Sequence, residues 1–175
     1  TLFDELTIAI GVNPDKNYYL SAEERLANIQ AIVYRENWPQ CKVDVKIIKN
    51  QYLAKFAASI EASCLIRGIR SEADFSYEYA MAQANKALAP NIESIYLMPP
   101  PALAQTSSSF VKSVIGPEGW EEMVQKYVPA EVFETIKSKS WNTYPLLFYF
   151  FAASAAVSCF LKWTAATGST AQSSP

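Results

Sequence analysis

Four short apolar runs, each followed by a stretch with helical spacing, constrain this chain more than anything else in its sequence. Leu6 to Val12 (LTIAIGV) is a run of β-formers closed by Asn13-Pro14-Asp15, the pattern of a buried parallel strand ending in a turn. Ser21 with Glu24 three residues on is a capping box, and Leu26, Ile29 and Val33 then share one face, so an amphipathic helix is expected from about Ala22. Val43 to Ile48 reads as the next strand, and Leu53, Phe56, Ala57 and Ile60 as the next helix. Ala62 to Ile66 (ASCLI), a helix over Ala73 to Leu88 ended by Pro90, and a strand Ile92 to Met98 stopped by Pro99-Pro100-Pro101 continue the alternation. Ser107 to Ile115, Glu118 to Tyr127 and Pro129 to Ile136 read as three short helices.

Strands that alternate with helices at this spacing build a parallel sheet through right-handed crossovers, hence an open α/β sandwich with helices on both faces. Ligands of such sheets bind at the carboxyl ends of the strands, which directs attention to Asn13 to Lys16, Arg67 to Arg70 and Pro99 to Ser109. With 50% hydrophobic and 18% charged residues the chain can bury a core. Its 15 Lys+Arg against 17 Asp+Glu leave a net charge of −2, so the basic excess of a nucleic-acid binder is missing. No histidine is present, which removes a Ser-His-Asp triad, a His-ligated zinc and an imidazole proton shuttle. Cys41, Cys64 and Cys159 are too widely spaced for a metal knuckle and odd in number, so they read as ordinary thiols of a reducing compartment. Acids at Asp4 and Glu5 with no preceding basic region give no sign of a secretory leader.

The last segment differs in kind and divides the chain into an α/β domain over residues 1–139 and a tail over 140–175. Ser140 to Leu161 carries no charge, and Lys162 follows it. As a helix, its dense core from Pro145 to Leu161 would be about 26 Å long, slightly short of the roughly 30 Å of a bilayer's hydrocarbon layer. Three readings stay open: a membrane span, with Lys137 and Lys139 keeping the domain in the cytoplasm; a buried helix of a larger assembly; or a segment foreign to the domain.

Glycines are few and form neither GxGxxG nor GxxxxGK[ST], so no dinucleotide fingerprint or Walker A loop is present. Instead Arg67-Gly68-Ile69-Arg70 sets two guanidiniums, which fork onto phosphate oxygens, around a glycine that permits close backbone approach. The plainer reading is a pair of surface arginines balancing Glu72 and Asp74. Thr106-Ser107-Ser108-Ser109 precedes a helix and reads either as a phosphate seat or as an ordinary helix cap. Lys16 stands on a third strand-end loop, as an anion contact or a solvated lysine. Glu78 and Asn85 lie two turns apart on one helix face, where they meet a base and ribose or point into water.

Taken in order, Gly11-Val12-Asn13-Pro14-Asp15-Lys16, Glu23-Glu24-Arg25, Ile66-Arg67-Gly68-Ile69-Arg70, Asp74-Phe75-Ser76-Tyr77-Glu78-Tyr79, Met81-Ala82-Gln83-Ala84-Asn85, Ile95-Tyr96-Leu97-Met98-Pro99 and Thr106-Ser107-Ser108-Ser109-Phe110-Val111-Lys112 form a set that resembles the phosphopantetheine adenylyltransferase family, from about Thr1 to Lys137. The resemblance implies a Rossmann-like fold and transfer of AMP from ATP, with magnesium, to 4′-phosphopantetheine, giving dephospho-coenzyme A and pyrophosphate. It implies that Lys16, Leu53 and Arg67 hold phosphopantetheine, and that Gly68, Arg70, Glu78 and Asn85 with Leu103 to Ser109, including Thr106, Ser107 and Ser108, surround ATP. It also implies a cytoplasmic homo-oligomer, a hexamer. The family's first strand and its TFDP…NGH-type segment, which supplies a catalytic Thr and His, have no counterpart here. The expectation is therefore a sheet lacking the strand beside Leu6 to Val12, no catalytic residue, and an inactive fragment that keeps most of both ligand sites. Release of pyrophosphate by the purified chain would sink that expectation. The alternatives are a related nucleotidyltransferase with another acceptor, and a non-catalytic membrane-tethered or interaction protein on a degenerate nucleotide-binding scaffold.

Overall fold

Every apolar run read as a strand forms one, and every strand pair is parallel. In the computed structural model, which describes residues 2–140, β1 (Glu5–Val12) pairs with β2 (Lys42–Lys49) from Glu5↔Lys42 to Val12↔Lys49, and β3 (Cys64–Gly68) pairs with β4 (Glu93–Leu97) from Cys64↔Glu93 to Gly68↔Leu97. The connections run through α1 (Ala22–Glu36), α2 (Leu53–Ser59) and α3 (Glu72–Leu88), and after β4 come α4 (Pro101–Ala104), α5 (Ser108–Val114), α6 (Trp120–Gln125) and α7 (Ala130–Ser140). The chain is thus an α/β protein of Rossmann-like type. Its strands form two two-stranded ladders, β1–β2 and β3–β4, and no described strand hydrogen-bonds across from one to the other.

The local reasons are those of elementary helix and strand chemistry. Ser21 caps α1 reciprocally with Glu24: the Glu24 N–H donates to Ser21 Oγ at 3.0 Å and the Ser21 N–H to Glu24 Oε2 at 2.7 Å. Ile29 of α1 then packs with Ile8 and Ile10 of β1 and Val45 of β2. A second cluster joins Ala54, Ala57, Leu65, Ala89 and Ile92 across α2, β3 and the end of α3. A third, of Val111, Trp120, Val124, Phe133 and Ile136, ties α5, α6 and α7 together with Tyr19 and Leu20 packed against it. Lys139 near the end of α7 pairs with Glu24 at 2.7 Å and donates to the Tyr19 carbonyl at 3.0 Å, which fastens the last described helix to the start of α1.

Several boundaries differ from the sequence expectation, and three of the differences have a local reason. The strand read at Ala62 to Ile66 begins two residues later, because the Ala62 N–H closes the end of α2 on the Ala57 carbonyl, while Arg67 and Gly68 enter the ladder opposite Tyr96 and Leu97. Pro101, read as part of a loop, opens the one-turn helix α4, where its missing N–H costs nothing. The helix read from Glu118 starts at Trp120, after Gly119 takes a left-handed φ of 81° that suits glycine. The tail over 141–175, with Pro145 to Leu161 and Cys159, lies outside the described residues. Among the described residues no helix is long and apolar enough to cross a membrane.

Candidate functional site

The candidate residues lie where strands end. Arg67 is the fourth residue of β3, opposite Tyr96 of β4, and α3 returns across this pair to bring Glu78 against it. Arg67 Nε donates to Glu78 Oε2 at 2.8 Å, its Nη2 donates to Oε1, and the two side chains are only 11% and 9% exposed. The Tyr96 hydroxyl donates to the Glu78 carbonyl at 3.4 Å, so β4 also holds this turn of α3. Glu78 and Asn85 are the buried residues of α3; neither points into water, which removes the solvated reading of that face.

Three residues beyond Arg67, Arg70 is engaged from two directions. Asp74 Oδ2 accepts from Arg70 Nε at 2.9 Å and from the Arg70 N–H at 3.1 Å, while Arg70 Nη1 donates to the Thr106 carbonyl at 3.1 Å. That last bond spans 36 residues and ties the arginine loop to the chain entering the triple serine. The reading in which Glu72 and Asp74 balance both arginines is half realised: Asp74 pairs with Arg70, and the partner of Arg67 is Glu78. Ser107 caps α5, its Oγ accepting from the Phe110 N–H at 3.0 Å. Its hydroxyl is therefore committed to the helix, whereas Ser108 and Ser109 are the first residues of α5.

The Arg70 guanidinium, chiefly through its hydrogen bonds, holds the Asp74 carboxyl below its ordinary 3.8. A carboxyl depressed in the folded state contributes stability that is present above the unfolded value and is lost as pH falls through the folded one. Urea unfolding of Asp74→Asn against the parent is expected to show a deficit at about pH 7 that narrows below about pH 3.5; a deficit independent of pH contradicts the pairing. Burial pushes the Cys64 thiol up, which fits an inert cysteine rather than a nucleophile.

Lys16 ends a turn in which its N–H donates to the Asn13 carbonyl at 3.1 Å and Asn13 Oδ1 accepts from the Asp15 N–H at 2.9 Å. Its ammonium forms no hydrogen bond or ion pair with a described residue. Leu53 is the first residue of α2 and packs against the cluster around Ala54. The structure thus brings together Arg67 with Glu78, and Arg70 with Thr106, while Lys16 stands on the loop after β1 and Leu53 opens the helix that follows β2. Residues that the sequence did not single out complete the scaffold. Arg25 lies 4.3 Å over the Tyr18 ring and donates to the Gly11 carbonyl at 3.4 Å, and the Tyr18 hydroxyl accepts from the Asn13 N–H at 3.1 Å, which steadies the loop bearing Lys16. Arg25 was visible only as part of a helix start, and nothing in its spacing announces a bond back to β1.

Comparison with known proteins bears on what this arrangement serves. The model of the cytidylyltransferase-like family matches residues 1–114. A phosphopantetheine adenylyltransferase of Neisseria meningitidis serogroup C is 41% identical over 136 residues, 78% of this chain and 78% of that protein. Proteins of the same name from Chromobacterium violaceum and Caldanaerobacter subterraneus are 40% and 34% identical over 137 and 138 residues, covering 78% and 79% of this chain and 81% of each relative.

Proposed function

The chain belongs to the cytidylyltransferase-like family and within it to the phosphopantetheine adenylyltransferases, and from that premise we propose that it binds ATP and 4′-phosphopantetheine at the carboxyl ends of its strands for transfer of the adenylyl group. In the reaction an oxygen of the acceptor phosphate attacks the α-phosphorus of ATP, the bond to the β-phosphate oxygen breaks, and pyrophosphate leaves with its electron pair. The observation that carries the reading is the hydrogen bond from Arg70 to the Thr106 carbonyl, which supports one site built from the arginine loop and the triple-serine turn.

Adenylyl transfer asks for in-line placement and for charge against developing negative oxygen, and it needs no covalent nucleophile. Lys16 and Arg67 are the cations proposed for the acceptor phosphate, with Leu53 along the pantetheine arm. Gly68, Arg70, Asn85 and Thr106 to Ser109 are proposed for the nucleotide. With no histidine in the sequence, charge stabilisation by this chain's residues falls to lysine, arginine and backbone N–H groups. Among the described residues no three acidic, thiol or imidazole side chains gather into a metal cage, and Asp74 and Glu78 are already paired with arginines. Magnesium entering with ATP would then be held by the phosphates rather than by a cage of the described residues.

The domain is proposed to span residues 1–139, to work in the cytoplasm without nucleic acid, and to associate with copies of itself, six in the reading that the resemblance implies. Phe75 and Tyr79, whose rings stack at 6.2 Å on one side of α3 and which are 55% and 61% exposed, support association. Sedimentation velocity is expected to give an oligomer, and a monomer at all concentrations contradicts it. Thermal shift tests the substrate assignment. ATP and phosphopantetheine are each expected to raise the melting temperature, and dephospho-coenzyme A to raise it further because one molecule fills both sites. A larger shift with nicotinamide mononucleotide than with phosphopantetheine would overturn the choice of acceptor.

A further inference from the structure

We propose that Tyr18 is a positioning residue for Lys16: its hydroxyl closes the loop that carries the lysine, and Arg25 holds its ring in place. The inference rests on the adenylyltransferase reading, in which Lys16 meets the acceptor phosphate, and extends it to residues that the resemblance leaves without a role.

Asn13 is the hub of the loop between β1 and α1. Its carbonyl accepts from the Lys16 N–H at 3.1 Å, its Oδ1 accepts from the Asp15 N–H at 2.9 Å, and its own N–H donates to the Tyr18 hydroxyl at 3.1 Å. The first two bonds set the turn through Pro14 and Asp15. The third brackets that turn, because it ties a residue that follows Lys16 back to one that precedes it. Lys16 thus lies within a stretch of backbone closed by a phenol.

Tyr18 is fixed in turn from the helix side. The Arg25 guanidinium lies 4.3 Å from the centre of its ring, a cation–π contact. Arg25 also donates through Nη1 to the Gly11 carbonyl and through Nε to the Ser21 carbonyl, each at 3.4 Å. Gly11 belongs to β1, and Ser21 caps α1. One arginine therefore joins the strand end, the loop and the helix start. The neighbouring Tyr19 is anchored on α7, where its carbonyl accepts from Lys139 at 3.0 Å and its hydroxyl meets Ser140 Oγ at 3.2 Å.

A lysine carries its charge on a flexible four-carbon stem, so the place of its ammonium is defined only as well as the backbone beneath it. A backbone ordered in advance does not have to be ordered at each binding event. The consequence is specific to the phosphate. Loss of the Tyr18 hydroxyl weakens a ligand that Lys16 contacts and spares one that it does not.

Calorimetric titration of the full chain with phosphopantetheine, with pantetheine and with ATP tests this. Tyr18→Phe keeps the ring under Arg25 and removes only the closing bond; it is expected to weaken phosphopantetheine about threefold. Tyr18→Ala, which removes the cation–π contact as well, is expected to weaken it about tenfold. Pantetheine and ATP are expected to stay within about twofold in both variants. In a Lys16→Met background both substitutions are expected to add nothing, because Tyr18 acts through the lysine, whereas a general loosening of the fold would persist there. Should Tyr18→Ala fail to fold, Tyr18→Phe in the parent and in the Lys16→Met background makes the same comparison. An unchanged phosphopantetheine affinity, an equal loss for pantetheine, or a loss that persists in the Lys16→Met background overturns the positioning role and leaves the adenylyltransferase reading in place. A parent chain that binds neither phosphopantetheine nor ATP overturns that reading and this inference with it.

Discussion

Arg67→Met is expected to cost the fold about 3 kcal/mol, the penalty for breaking a buried ion pair from one side, and to reduce phosphopantetheine affinity by a factor of about 30 or more. The stability loss arises from Glu78. With its partner gone, a carboxylate that is 9% exposed is left without its compensating cation. The affinity loss arises from the missing guanidinium at the end of β3. The two effects separate in the double variant Arg67→Met/Glu78→Met, which removes both charges. Its stability is expected to recover most of the loss, while phosphopantetheine binding stays weak. Urea unfolding and calorimetry on the two variants decide it, and a double variant that is less stable than the single one contradicts the account of a compensated pair.

Phe133→Ala is expected to remove about 4 kcal/mol, the cost of emptying a large aromatic site in a core that relaxes only partly. Phe133 is 3% exposed, its ring centroid lies 6.2 Å from that of Trp120, and it belongs to the cluster that also contains Val111 of α5. Since α5 begins at Ser108, directly after the cap Ser107 and the Arg70 partner Thr106, loosening this cluster loosens the triple-serine turn. A loss of ATP affinity is therefore expected with the loss of stability, although Phe133 is not among the residues proposed for ATP. Denaturation gives the first effect and titration with ATP at a temperature where the variant is folded gives the second. An unchanged ATP affinity would show that the turn is held independently of the cluster.

What the sequence could disclose follows from the range of the interactions involved. Local signals were legible: the Ser21–Glu24 box marks the start of α1 at the residue where the structure places it, and the run from Leu6 to Val12 lies within β1. Non-local pairing was not. The shift of β3 to Cys64–Gly68 depends on Tyr96 and Leu97 opposite Arg67 and Gly68, partners about thirty positions away that no local propensity reveals. In the same way the spacing of Glu78 and Asn85 showed that they share a helix face but not that the face is buried, because burial of a carboxylate requires a cation that another element supplies. Arg70, by contrast, met Asp74, one of the two nearby acids that the sequence set against the arginines.

The central proposal is that cations and hydroxyls from the loops that end the two ladders bind two phosphorylated molecules together. Calorimetric titration of the intact chain with phosphopantetheine and with pantetheine lacking the phosphate tests it most directly. Saturable binding that needs the phosphate, weakens in Arg67→Met and persists when ATP is also present is the expected result. Equal binding with and without the phosphate, or competition between phosphopantetheine and ATP for a single site, would contradict it.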